Sequence, residues 1–153
     1  MTKTGLKARA VAVTVHQGKV LLVESNHSPG SYVPPGGTIE RHELASQCAA
    51  REVAEETGVS VRIGRIIGIR QAFWPERDTL ELYYSATVAE DAGDAVGGGI
   101  EGRRFRWVPL DELHTVPHFP GELGVLCALA ATPGGGVAEL PALDLTQMKD
   151  TAE

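Results

Sequence analysis

Gly36-Gly37-Thr38-Ile39-Glu40-Arg41-His42-Glu43-Leu44-Ala45-Ser46-Gln47-Cys48-Ala49-Ala50-Arg51-Glu52-Val53-Ala54-Glu55-Glu56-Thr57-Gly58-Val59 is the stretch around which the chain is organised. Glu52, Glu55 and Glu56 stand at spacing i, i+3, i+4, which gathers them on one face of a helix. Like charges so placed repel, at a cost of roughly 0.2–0.5 kcal/mol per pair. A hard divalent cation would offset this, because Mg²⁺ takes one or two carboxylates together with waters and substrate phosphates. Gly58 marks the helix end, where the chain turns left-handed. Ahead of the helix, Pro34-Pro35-Gly36-Gly37 is a stiff turn that closes on two residues without Cβ, so backbone can approach a ligand there. Glu43 falls near the helix start, where a carboxylate suits the dipole. Arg51, four residues before Glu55, is placed to orient an acid. Three glutamates on an arbitrary helix read as a solvated face; with Gly37, Glu43, Arg51 and Gly58 in place, a site is the better reading.

Gly37, five residues, Glu43, seven residues, then Arg51-Glu52-Val53-Ala54-Glu55-Glu56-Thr57-Gly58-Val59 resembles the whole Nudix box, G-x5-E-x7-R-E-U-x-E-E-x-G-U with U apolar, and no position departs from it. The resemblance implies a hydrolase dependent on Mg²⁺, with Mn²⁺ as the alternative ion. Its substrate would be a nucleoside diphosphate linked to another moiety. It also implies an α/β fold, an α/β/α sandwich with a central mixed sheet and a loop–helix–loop metal site. Carried over by position, Glu52, Glu55 and Glu56 bind metal, and Glu52 is also a candidate base. Arg51 holds the acid cluster, and the backbones of Gly36 and Gly37 contact metal or phosphate. Further on, Glu101 precedes Phe105-Arg106-Trp107-Val108-Pro109-Leu110, a pattern similar to the stretch where some members carry a further metal ligand or the general base.

At 153 residues one domain is expected, with a core of useful size. The expected limits are residues 1–136 for the domain and 137–153 for a C-terminal tail. That tail is open to three readings: partly disordered, packed on the domain, or packed on a partner subunit. A net charge of −6 argues against a nucleic-acid polymer or a membrane surface as partner. Cys48 and Cys127 fall in helical stretches, as reduced core residues would. The N-terminal apolar run Ala10–Val15 is broken by His16, Gln17 and Lys19, so neither a signal peptide nor a spanning helix is expected, and the expected location is cytoplasmic. Monomer and homodimer both stay open.

In chain order, Ala10–Val15 and Val20–Val23 flank Gln17-Gly18 as a β-hairpin, and their continuous apolar runs suit a sheet covered on both faces. Residues 26–35 read as a loop. The box helix is expected from near Glu43 to Thr57, packed through Ala49, Ala50, Val53 and Thr57, with Leu44 and Cys48 partly buried beside the site. Residues 59–73 read as one or two strands, bent or bulged at Gly64 and Gly68. Residues 79–88 read as a strand and 89–99 as a Gly-rich loop. Phe105–Val108 reads as another strand, followed by a short helical turn, and residues 121–131 as a helix.

Substrate contacts are expected from Trp74, as a stacking platform, and from Arg70, as a phosphate grip. Pro75, sixteen residues past Val59, resembles the position where ADP-ribose-cleaving members of the family carry a proline and diadenosine-polyphosphate members a tyrosine; the resemblance leaves ADP-ribose, a nucleotide sugar and a nucleoside triphosphate open, and the short chain also fits the last. Zinc-type spacings are absent: His42-Glu43 lacks a second histidine four residues on, and Pro117 separates His114 from His118. Two other classes stand beside the hydrolase. One is a nucleotide-sensing module with little turnover, and the other a protein whose box acids serve structure only.

Overall fold

The computed structural model describes residues 5–89 and 103–147. Strand β1 (Leu6–His16) turns into β2 (Lys19–Glu24) through Gln17 and Gly18. Both have positive φ, 51° and 74°, the backbone that a two-residue hairpin turn demands. The loop 26–35 contains a short strand, β3 (Tyr32–Val33), antiparallel to β2. Next, β4 (Gly36–Thr38) lies antiparallel to β1, with Gly36 opposite Val11 and Gly37 opposite Ala10. A Cβ on Gly36 would stand 2.7 Å from Ala10 O and 2.8 Å from Val11 Cγ2, so the pairing requires glycine there.

The box helix, α1, spans Ala45–Thr57 and so begins two residues later than the position of Glu43 suggests. Glu43 lies before it, and Leu44 takes the extended N-cap conformation with φ −70° and ψ 147°. The Leu44 N–H donates to Gln47 Oε1 at 3.0 Å, which satisfies a backbone donor ahead of the helix. Gly58, at φ 77°, closes α1 by donating its N–H to Ala54 O. Cys48, Ala49 and Val53 are fully buried, while Leu44 is exposed instead of packing beside the site.

Strand β5 (Val61–Phe73) is one continuous strand with register shifts between Ile63 and Ile66 and between Ile66 and Gly68, the bends expected at its glycines. It pairs antiparallel with β6 (Asp78–Val88), which runs parallel to β1 from Leu6↔Asp78 to Thr14↔Ala86. β7 (Phe105–Pro109) adds to the far side of β2 and leads into a 3-10 turn, Leu110–Thr115. Helix α2 follows at Leu123–Ala131. Residues 138–144 then form β8 (Ala138–Glu139) and β9 (Leu143–Asp144), both parallel to β5.

The layers follow from the two-residue period of β1. Val11 and Val13 join Leu123, Leu126 and Cys127 of α2 in one core. Ala10 and Ala12 join Cys48, Ala49 and Val53 of α1 in the other. The small side chains on the α1 side let that helix lie close against the sheet. The result is a mixed sheet between two helices. Both cysteines are free and buried. No helix among the described residues is long and apolar enough to cross a membrane.

Candidate active site

Arg51 is the hub of the acidic face. Its Nε donates to Glu43 Oε2 at 2.7 Å, and its Nη2 to Glu43 Oε1 at 3.1 Å. Nη1 reaches Glu52 Oε1 at 3.0 Å and Glu55 Oε1 at 3.1 Å. Nη2 also meets Thr38 O at 3.3 Å, which ties the loop to the helix. A planar guanidinium with five donors can serve so many acceptors; an ammonium cannot. The Arg51 hydrogen bonds hold the Glu43 carboxyl down at about 2, well below the usual carboxylate range. The same partners raise Arg51 above its ordinary value. Glu43 Oε1 additionally accepts the Glu40 N–H at 3.0 Å, so Glu43 braces both the loop and the arginine.

Glu56 lies deepest, with 1% of its side chain exposed. Its Oε2 accepts the Gly36 N–H at 3.2 Å, and its Oε1 takes an ion pair from Arg103. Arg103 also donates through Nη2 to Glu24 O at 2.6 Å, which joins β2 to the site. Glu52 and Glu56 lie within hydrogen-bonding reach of each other, and burial pushes the Glu52 carboxyl upward. Gly37 has no room for a Cβ, because the Glu52 carboxylate occupies that space. Cys48 Sγ stands 3.5 Å from Gly37 O, and burial raises its thiol to about 11, so it is a packing residue rather than a nucleophile.

The residues suit a hard cation. Glu52, Glu55 and Glu56 offer oxygen only, the ligand type that a hard divalent cation takes. Among the described residues, no three His, Cys, Asp or Glu side chains converge as a ready-made cage. A cation held at Glu56 would compete with Arg103 for that carboxylate.

Glu56, Gly36 and Arg103 lie together in the lining of a cleft of about 620 Å³. Its cationic lining is Lys7, Arg9, Arg77 and Arg103; Trp74 is also in the lining. The Trp74 indole N–H donates to Thr79 Oγ1 at 3.3 Å. The expected phosphate contact at Arg70 is corrected by the structure. Arg70 is 2% exposed, its guanidinium pairs with Glu122 at 2.6 Å and Pro141 O at 2.7 Å, and it does not line the cleft. A cation inside the sheet layer needs fixed acceptors, and these two occupy it. Glu101 lies outside the described residues. Lys7 and Arg9 were missed from the sequence. Their signal was the alternation Lys7, Arg9, Val11, which places all three on one face of β1.

A model of the NUDIX domain matches residues 6–129, and the chain belongs to the Nudix family. It is a pyrophosphohydrolase, acting on acid anhydrides in phosphorus-containing compounds. Diphosphoinositol polyphosphate phosphohydrolase 2 of Rattus norvegicus is 31% identical over 148 residues, covering 92% of this chain and 82% of that protein. Diphosphoinositol polyphosphate phosphohydrolase 3-alpha of Homo sapiens is 33% identical over 113 residues, covering 71% and 67%. Among solved structures, a NUDIX hydrolase from Nitrosomonas europaea is 25% identical with a TM-score of 0.66, covering 86% of this chain and 91% of that one. An ADP-ribose pyrophosphatase from Streptococcus suis is 19% identical with a TM-score of 0.62, covering 87% and 97%, and shows the shared fold.

Proposed function

We propose that the chain uses Mg²⁺ to hydrolyse the diphosphate linkage of a nucleoside diphosphate derivative or another highly phosphorylated small molecule, by attack of water on phosphorus. The observation that carries this reading is the cleft itself: Glu56, Gly36, Arg9 and Arg103 share its lining, in a protein of net charge −6. Glu52, Glu55 and Glu56 would hold the ion, with the Gly37 backbone beside them. The ion, when bound, supplies a Lewis acid that shields charge on the phosphoryl oxygens. The protein's own part is to position. Arg51 fixes the carboxylates, the Gly36 N–H orients Glu56, and the cleft cations align the phosphates. The catalytic domain is read as residues 1–136, with β8 and β9 of the tail added to its sheet.

The names of the relatives favour a polyphosphorylated substrate, and the four cleft cations agree with that. Trp74 in the same cleft favours a nucleotide. The test is product release from nucleoside triphosphates, ADP-ribose, nucleotide sugars, diadenosine polyphosphates and a diphosphoinositol polyphosphate, with Mg²⁺ and with chelator. Cleavage of one class that chelator abolishes supports the proposal; no metal-dependent turnover by folded protein overturns it. Glu55→Gln and Glu56→Gln should each nearly abolish that turnover while circular dichroism stays unchanged. The water-activating base is assigned between Glu52 and Glu101 by the same assay, since a general base contributes about 10²–10⁴-fold. An unchanged rate in Glu101→Gln removes Glu101 from that role.

A further inference from the structure

The family match ends at residue 129, yet the chain continues along the sheet and returns to the cleft. Leu143 and Leu145 both line it. They stand two apart, so they share one face of the β9 segment, with Asp144 on the other. Leu143 lies opposite Ala72 of β5, which lines the cleft too. The Leu145 N–H donates to Phe73 O at 2.8 Å.

This wall is held in place from behind. Leu140 is buried in the α2-side core, and its N–H donates to Ile69 O at 2.9 Å. Buried Arg70 grips Pro141 O, and Arg65 donates to Gly136 O at 3.1 Å and Leu129 O at 3.2 Å. Two arginines thus bind the tail backbone to β5 and α2, and neither is available to the substrate through those bonds.

The cleft floor changes character across the sheet. On β1 it is Lys7, Arg9 and Val11, next to β4, where the Gly36 N–H meets Glu56. On β6 it is Thr79, Glu81 and Tyr83, on β5 Ala72, and on β9 Leu143. Three strand spacings of ~4.8 Å place the apolar end about 14 Å from β1. Trp74 and Phe119 stand with the two leucines in the lining, as does Arg77, whose carbonyl accepts the Trp74 backbone N–H at 3.0 Å. A ligand that fits is charged at one end and flat and apolar at the other.

We propose that Leu143 and Leu145 are specificity-determining residues that, with Trp74, seat the base of a nucleoside diphosphate derivative while its phosphates lie towards β1. This rests on the hydrolase reading above and narrows its substrate class. An inositol ring bearing phosphates on every side gains nothing from an apolar wall, so the two substrate classes part here. The base exposes both faces of a π system, and stacking on an aromatic side chain is tolerant of which base is presented.

The test separates base recognition from phosphate recognition and needs no turnover. Two ligands are titrated calorimetrically in Mg²⁺: α,β-methylene-ADP, whose P–C–P bridge is not cleaved, and methylenediphosphonate, the same bridge without adenosine. The unaltered protein should bind the nucleotide at least about tenfold more tightly, the lower part of the stacking range. Leu143→Ser/Leu145→Ser should lose most of that preference while its affinity for methylenediphosphonate stays unchanged. Trp74→Ala is the second variant and should do the same. Equal affinities of the unaltered protein for the two ligands overturn the proposal, and so does a preference that survives the substitutions. A parallel loss for both ligands assigns the segment a structural role and overturns it as well. Metal-dependent turnover is measured separately, so a failure of the hydrolase reading is told apart from a failure of the base seat.

Discussion

At the scale of a residue, Arg51 decides whether the acidic face is a site or a source of repulsion. It holds Glu43, Glu52 and Glu55 in one plane of donors and reaches Thr38 O as well. Lysine keeps the charge and loses the fork. Arg51→Lys is therefore expected to lower stability by about 1.5–3 kcal/mol, the contribution of a hydrogen bond to a charged group. Urea unfolding measures this. The same variant should lower kcat with the fold intact, because Glu52 and Glu55 lose their shared anchor. An unfolding midpoint equal to that of the unaltered protein would show that the interactions of Arg51 are replaceable by a point charge. The spacing of Arg51 and Glu55 was legible in the sequence because helical neighbours four apart must meet. The pairing of Arg103 with Glu56 was not, since 47 residues separate them and only the sheet brings β7's approach to the end of α1.

At the scale of an element, the loop–helix unit depends on a carboxylate outside the helix. Glu43 precedes α1, yet it bonds Arg51, two turns in, and the Glu40 N–H. Its carboxyl is depressed from 4.5 to about 2, first by the Arg51 hydrogen bonds. A depressed folded value means that the unfolded chain binds the proton more readily. The stabilisation from Glu43 is then fully present above 4.5 and is lost as pH falls through about 2. Glu43→Gln should thus be less stable than the unaltered protein by a constant amount above pH ~5, and the gap should close by pH ~2. Chemical unfolding at several pH values reads the gap directly. A gap independent of pH would place the contribution of Glu43 in its shape rather than its charge. Element identities were largely readable: apolar runs marked β1 and β2, glycines marked the bends of β5, and the stripe Leu123, Leu126, Cys127 marked α2. β8 and β9 were not. Each is two residues long, too short for periodicity to show, and each is made a strand by the pairing offered by β5.

At the scale of the whole molecule, charge is unevenly spent. The chain carries −6 and would repel a polyanionic substrate at long range. Its cleft gathers Lys7, Arg9, Arg77 and Arg103 against Glu56 and Glu81. Arg9 and Glu81 form an ion pair at 3.2 Å, so part of the field is internal. The remaining excess is positive and acts close in, where salt screens it: the Debye length falls from about 10 Å at 0.1 M to about 3 Å at 1 M. Added salt should therefore lower kcat/KM for a phosphate-rich substrate. Lys7→Gln removes one charge from the β1 end of the cleft and should lower kcat/KM at low salt by about fivefold, the effect of one charge pair 4 Å apart in water. The variant should also respond less steeply to salt, so that the two proteins converge near 1 M. Initial rates across a salt series check this. Parallel salt responses in the two proteins would mean that Lys7 does not sense the substrate's phosphates, and that the steering comes from the arginines alone.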